Sequence, residues 1–429
     1  MAIFFSAGSR FRYQGACSAS RRTRVAVLAT VFLTVVGTVR AAPISFEQAL
    51  LFAEQHSAAL AARQATADGA QQARTAAGQL PNPKLAVGIE NFPVSGPERF
   101  SWNRDSMTMR RVGLMQDVPN AARRAAQREA ADAKTARERA MLESERLAVR
   151  REAALAWLGL HFAQRRLAVF AALEQEDRLL QDTLASRLAS GGAMPADALM
   201  ARQETLELAD RRDELQAAVE QARAQLRRWT GEQPELSAQA EPPALRLDLA
   251  RLLDSLDRHA DLLAFAPMLA MARADVEEAV AMRRGDWGWE VAYGNRARAF
   301  GDMVSVQLTF ELPVSRATRQ EPVVASRQKE VERLQAERED ALRRVRAEVD
   351  ALVADLQRAE RVLQRLQAAA MPLAKERVQV TLASYQAGRA DLGTVLTARR
   401  SAAEVQLRAL DLQAQVLAQQ ARLAYLIAE

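Results

Sequence analysis

A chain of 429 residues with only 5% aromatic side chains, dominated by Ala, Arg, Gln, Glu and Leu, has the balance of long helices with narrow seams of small residues, which excludes a bulky globular core. Its formal charge of +6 resides in the N-terminus: residues 1–41 hold six arginines and no acid, leaving 53 basic and 53 acidic residues beyond them, so a nucleic-acid reading founded on net charge falls away. The single cysteine, Cys17, lies in the same stretch, and the rest of the chain is free of thiols.

Arg21, Arg22 and Arg24 precede an apolar run from Val25 to Val36, and Val39-Arg40-Ala41 offers small residues where a signal peptidase reads. The run is too short for a spanning helix, which needs about 20 residues, so a secretory signal peptide is predicted over 1–41. Ser20-Arg21-Arg22 has a slight twin-arginine character.

Beyond residue 41 the chain is a tandem duplication. At an offset of 197 residues Gly191 matches Gly388, Leu199 matches Leu396, Ala201-Arg202 matches Ala398-Arg399, and the register continues through Val219/Val416 and Leu226/Leu423. This predicts two structural repeats, 42–232 and 247–429, joined by a linker at 233–246. In the first, a helix over 46–79 ends at Gly78 and QLPNPKL, whose prolines forbid its continuation. Alternating Leu85, Val87 and Ile89 then predict a strand. A second strand is expected over 107–118, with a bulge or a late start where apolar parity shifts between Met109 and Val112. The hairpin therefore spans about 84–118. A long helix runs to 190, a tip occupies 191–195, and a shorter helix reaches 229.

The second repeat has a helix over 247–284 and a hairpin at about 287–313. Trp287, Trp289, Val291 and Tyr293 alternate with small or polar residues, as do Val304, Val306, Leu308, Phe310 and Leu312. One greasy and one wet face per strand, with Trp and Tyr on the greasy side, fits a transmembrane barrel wall with interfacial aromatics. A long helix to 387 carries a 3,4-spaced seam from Leu342 through Val345, Val349, Leu352 and Leu356 to Leu373, with a kink expected at Pro372. The tip at 388–391 and a helix to 427 complete it. Gly191, Gly192 and Gly388 are the predicted tip turns. Four strands cannot close a membrane barrel, because the smallest need about eight and lipid tolerates no open edge. Several chains must share one barrel, or the sheet belongs to a soluble protein.

Several stretches resemble the outer-membrane factor (TolC-like) family of channel-tunnels: QLPNPKL with Glu90-Asn91, Gln116-Asp117-Val118-Pro119, Leu226-Arg227-Arg228-Trp229-Thr230-Gly231, Met371-Pro372-Leu373-Ala374, and Tyr385 three residues before Gly388. QLPNPKL is most similar to the branch serving heavy-metal and cation efflux. The resemblance implies a mainly α fold with a small β part: a homotrimer whose four strands per chain build a twelve-stranded outer-membrane β-barrel above a periplasmic α-barrel. Its implied partners are outer-membrane lipid, a periplasmic adaptor protein and a proton-driven inner-membrane efflux pump. It also implies an aperture lock at the tips, with Asp197 on the family's acidic position and Tyr385 on its tyrosine partner. Arg389 stands one place before the usual arginine, and Thr394 and Thr397 fall where some members carry acidic rings. These tips, with adaptor docking at Gly191, Gly192 and Gly388, are the candidate site.

His56, His161 and His259 lie far apart with no cysteine beside them, so neither a metal site nor a cofactor is expected; His56 and His259 occupy similar repeat positions, which predicts a shared setting. Met107 and Met109 read as wall-facing. No nucleophile-base arrangement or phosphate loop stands out, and the chain is not expected to be an enzyme. The leading expectation is an outer-membrane efflux duct; the alternatives are an exported soluble coiled-coil adaptor or scaffold, and a type I secretion duct.

Overall fold

A computed structural model of the protein describes residues 43–231, 236–245 and 248–427; the predicted signal peptide and Cys17 lie outside them. Helices dominate, and among the described residues none is long and apolar enough to cross a membrane.

The first predicted helix is two helices, α1 (Phe46–His56) and α2 (Ala58–Arg74). Ser57 separates them: its extended backbone interrupts the helix and its hydroxyl accepts from the Leu60 amide, restarting it as an N-cap. Strand β1 (Lys84–Glu90) comes next, then β2 (Met109–Val118). The parity shift proves to be a late start without a bulge, since the β1–β2 register runs unbroken from Lys84↔Met115 to Glu90↔Met109. Helix α3 (Ala121–Ala189) is continuous over 69 residues, about 104 Å at 1.5 Å per residue. Helix α4 (Pro195–Thr230) returns along it.

Residues 236–245, inside the predicted linker, pack as part of the core. Leu236 and Ala238 are buried with Ile44, Phe46 and Trp157, and the Trp157 indole donates to the Ile44 carbonyl at 3.0 Å. The helix expected over 247–284 is likewise broken, into α5 (Leu249–Asp254), a short 3-10 turn and α6 (Phe265–Ala281). Between them His259 forms a bridge with Ile427, and the Ala260 amide donates to the Leu426 carbonyl. Those backbone groups serve the C-terminus and are lost to a helix. Pro267 then sits in the first turn of α6, where a missing N–H costs nothing.

Strands β3 (Trp287–Asn295) and β4 (Met303–Phe310) complete one antiparallel sheet in the order β1-β2-β3-β4. Leu312, expected to extend β4, lies beyond it: the Glu311 amide turns to the Asp286 carbonyl at 2.8 Å and Pro313 has no N–H to offer. Helix α7 (Gln320–Arg365) continues through a π turn at Leu366–Ala370 into α8 (Met371–Gln386), and α9 (Leu392–Ala424) ends the fold. The kink expected at Pro372 is this π turn, where the Met371 amide donates to the Leu366 carbonyl five residues back. The extra residue rotates the helix beyond it, so Leu373 leaves the seam and is 64% exposed, while Val345 and Val349 above the turn are fully buried.

The histidines do not share a setting. His56 is exposed, its Nδ1 2.9 Å from the Phe52 carbonyl, whereas His259 and His161 are buried. Burial, the largest cause, pulls both buried imidazoles below the usual histidine range; backbone bonding to Ala238 pulls His161 the other way. Among the described residues no cluster of His, Cys, Asp or Glu could hold a metal ion.

Candidate functional site

Two regions concentrate chemistry: the sheet with its base, and the two helix tips at the other end of α3 and α8. In the sheet, register fixes which side chains share a face. Leu85, Val87 and Ile89 of β1 align with Leu114, Val112 and Arg110 of β2, and Val112 and Leu114 align with Tyr293 and Val291 of β3. Tyr293, Val291, Trp289 and Trp287 align in turn with Val304, Val306, Leu308 and Phe310 of β4. Arg110 apart, these side chains form one apolar face across four strands, with Val87 73% and Val306 71% exposed. Trp287 and Trp289 stand at the end of β3 nearest the helices and Tyr293 near the far loop.

The opposite face is polar. Arg111 pairs with Glu90 on β1 and, at 2.8 Å, with Glu290 on β3. Gly113 leaves room for that carboxylate, since a Cβ there would lie 2.7 Å from Glu290 Oε1. Met109 turns to this face too, its sulfur against Gly294, contrary to its expected wall-facing position. Met107 lies ahead of the strand.

At the base of the sheet the proline-rich stretches meet. The Gln116 side-chain amide donates to the Pro81 carbonyl at 2.8 Å, and Lys84 pairs with Asp117 at 2.7 Å. Asn120 caps α3 by accepting from the Arg123 amide at 2.8 Å. Its own amide donates to the Ala281 and Arg284 carbonyls at 3.1 and 2.9 Å. Arg123 reaches Asp286 at 2.7 Å and Glu278 at 3.3 Å. This junction clamps both hairpins to α3 and α6.

At the other end, both tips close by one geometry. The Gly192 amide donates to the Arg187 carbonyl and Gly191 to Leu188; Arg389 donates to Ser384 and Gly388 to Tyr385. These are paired Schellman caps with Gly191 at φ 75° and Gly388 at φ 70°, a conformation that favours glycine. Gly192 has no such requirement.

Asp197 lies in the first turn of α4, where its carboxylate accepts from the Met194 amide at 3.0 Å, a capping contact. Tyr385 is 7% exposed, packed among Leu180, Leu184, Leu392, Val395 and Leu396. Its hydroxyl has no hydrogen-bond partner among the described residues. Arg389 is exposed and joins no ion pair among the described residues. Asp197, Tyr385 and Arg389 thus share the tip region without bonding one another within a protomer. Asp391 caps α9, accepting from the amide and hydroxyl of Thr394, both at 2.7 Å; those bonds, the hydroxyl's foremost, hold its carboxyl below the usual range.

Contacts that the sequence does not announce join the two hairpins. Arg187 of α3 lies over the Tyr385 ring of α8, 4.4 Å from its centroid. Arg400 of α9 reaches Glu204 at 2.5 Å and Glu207 at 2.6 Å on α4. Asp177 is buried, accepting from Gln181 at 2.9 Å; its burial, the largest cause, pushes its carboxyl up, against bonding from Gln181 and Thr205.

No family model and no curated protein matches this chain. Solved structures do. CusC, studied for folding and transmembrane channel formation, is 16% identical and superposes with a TM-score of 0.75 over 89% of this chain and 92% of its own. A membrane protein from Pseudomonas aeruginosa is 18% identical, with a TM-score of 0.76 over 89% of this chain and 90% of that one. The MtrE outer membrane channel of Neisseria gonorrhoeae, in its open state, is 15% identical, with a TM-score of 0.70 over 89% and 88%. The chain has the fold of these proteins, and the likeness singles out no branch among them.

Proposed function

We propose that the protein is a passive outer-membrane exit duct of a tripartite efflux system. It works as a homotrimer whose three sheets close one twelve-stranded barrel, with the helices forming a periplasmic tunnel towards an adaptor protein and an inner-membrane pump. The observation that carries this reading is the sheet itself: β1 and β4 have free edges, one face is apolar and exposed, and the other bears the Arg111 ion pairs. Identical copies supply the missing edges, and lipid is the solvent that suits the greasy face. A soluble scaffold would leave that face in water.

Strands of 7 to 10 residues are close to the roughly 9–11 residues that cross a bilayer when tilted. Transport through the duct needs no bond-making. Work comes from the pump, and the protein contributes an aperture with two helix arrangements. The Glu90-Asn91 and QLPNPKL resemblance points to heavy-metal cations as cargo, which metal sensitivity of a deletion strain tests. The duct itself is tested by fractionation and bilayer recording. The protein should remain in the outer membrane through salt and carbonate washing, run as a trimer, and conduct. A water-soluble monomer without a pore would end the reading.

A further inference from the structure

We propose that Arg187 is a positioning residue of the aperture: stacked on the Tyr385 ring, it ties the first hairpin tip to the second within one protomer, and Tyr385 acts through its ring face instead of its hydroxyl. The inference rests on the duct reading and adds to it the residue that holds the tips together. Arg187 is half-buried in the last turn of α3. One guanidinium nitrogen is anchored on the Gly192 carbonyl at 3.1 Å, which fixes the side chain against the tip turn. Its Cζ then lies over the Tyr385 ring, 4.4 Å from the centroid, well inside the 6 Å within which a cation is attracted to an aromatic face. Arg187 has no carboxylate partner among the described residues, so the ring is its main electrostatic counterpart.

The alternative holders are occupied or absent in the protomer. One Asp197 oxygen serves the Met194 amide, Arg389 is exposed, and the Tyr385 hydroxyl is buried with no partner among the described residues. The ring shares a buried cluster with Leu392 and Val395 of its own hairpin and with Leu180 and Leu184 of α3, so separating the hairpins must strip the α3 side chains, Arg187 among them, from the ring. At the register offset of the two repeats, Arg187 corresponds to Ser384 and Tyr385 to Leu188. The cation and the ring therefore occur once each, on opposite tips.

The test is single-channel recording of the trimer in planar bilayers. Arg187→Gln and Tyr385→Leu should each raise the open population roughly two- to fivefold per protomer, the range of a partly exposed cation–π contact. Tyr385→Phe, which keeps the ring, should stay at the wild-type level. Arg187→Lys should remain closer to wild type than Arg187→Gln, and Arg187→Gln with Tyr385→Leu should add little to either single change. Heat-stable trimers on gels show that each variant is folded. Opening by Tyr385→Phe as far as by Tyr385→Leu, or wild-type conductance in a folded Arg187→Gln trimer, would overturn the inference while leaving the duct intact. A wild-type protein that forms no pore would overturn the duct reading, and this inference with it.

Discussion

Glycine positions show how individual residues hold the two ends of this fold. At Gly285, a Cβ would stand 1.8 Å from the Glu311 carbonyl oxygen, because the chain entering β3 crosses the chain leaving β4. At Gly78, with φ 67°, it would lie 2.4 Å from the Arg124 carbonyl. Both clashes are with backbone, which cannot step aside. Gly285→Ala should therefore cost about 1–3 kcal/mol or more, as overpacking does, seen as lost heat-stable trimer on gels, whereas Gly69→Ala, with open space around it, should be tolerated. The sequence marks Gly78 as a helix stop and Gly191 and Gly388 as tip turns because their punctuation is local. It cannot mark Gly285, Asn120 or Arg187, whose roles depend on partners far along the chain.

Among the elements, the strands are the most readable. Their period of two assigns faces to residues such as Val304 and Trp289, and the register places them accordingly. A pair of neighbouring substitutions tests those faces. Val306→Arg, outward on β4, should cost about 2–4 kcal/mol near the bilayer midplane, whereas Ser305→Arg, inward, should fold nearly as wild type; folding yield into lipid vesicles measures both. The helices near Ser57 and His259 look continuous in sequence because Ala-rich periodicity persists across both breaks. Only the capping hydroxyl of Ser57 offers a local sign.

The second break predicts a pH response. Burial, the largest cause, lowers the His259 pKa, with Arg151 and Arg344 acting in the same direction and Asp261 and Glu348 opposing. The unfolded chain then binds more protons than the folded one below the unfolded value of about 6.5, so stability should fall as pH drops through that value. Nδ1 of His259 accepts from the Asp261 amide at 3.1 Å and Nε2 has no partner among the described residues, so the folded site suits a neutral ring. His259→Gln should flatten the acid side of the Tm curve measured in detergent between about pH 7.5 and 5, on either side of that value. An unchanged acid slope would remove His259 from the response.

At the scale of the whole molecule, the arrangement is a strand hairpin in each half held to a long helix, with the tips at the far end. Lengths make this possible: α3 spans 69 residues, while α4 spans 36 and α1 and α2 span 11 and 17, so shorter helices of the same half together approach the length of one long one. Composition and duplication carry that plan. The side-chain ties between hairpins lie beyond it, because repeat alignment sees what the halves share, and Arg187 with Tyr385, like Arg400 with Glu204, joins what they do not. Arg400→Ala should leave Glu204, 8% exposed, with its charge unpaired, and lower the protein's Tm by a few degrees, consistent with a loss of about 1–2 kcal/mol, less than for a fully buried pair because the Arg400 side chain is 51% exposed.

The unpaired margins of β1 and β4 also have a genetic consequence. In the proposed trimer each copy lends one border to a neighbour and borrows another, so a damaged copy would spoil its companions as well as itself. Co-expressing wild-type protein with a chain carrying proline at Val87 should therefore depress activity far more than simple dilution would, giving a dominant phenotype from a lesion that is recessive in a self-sufficient protein.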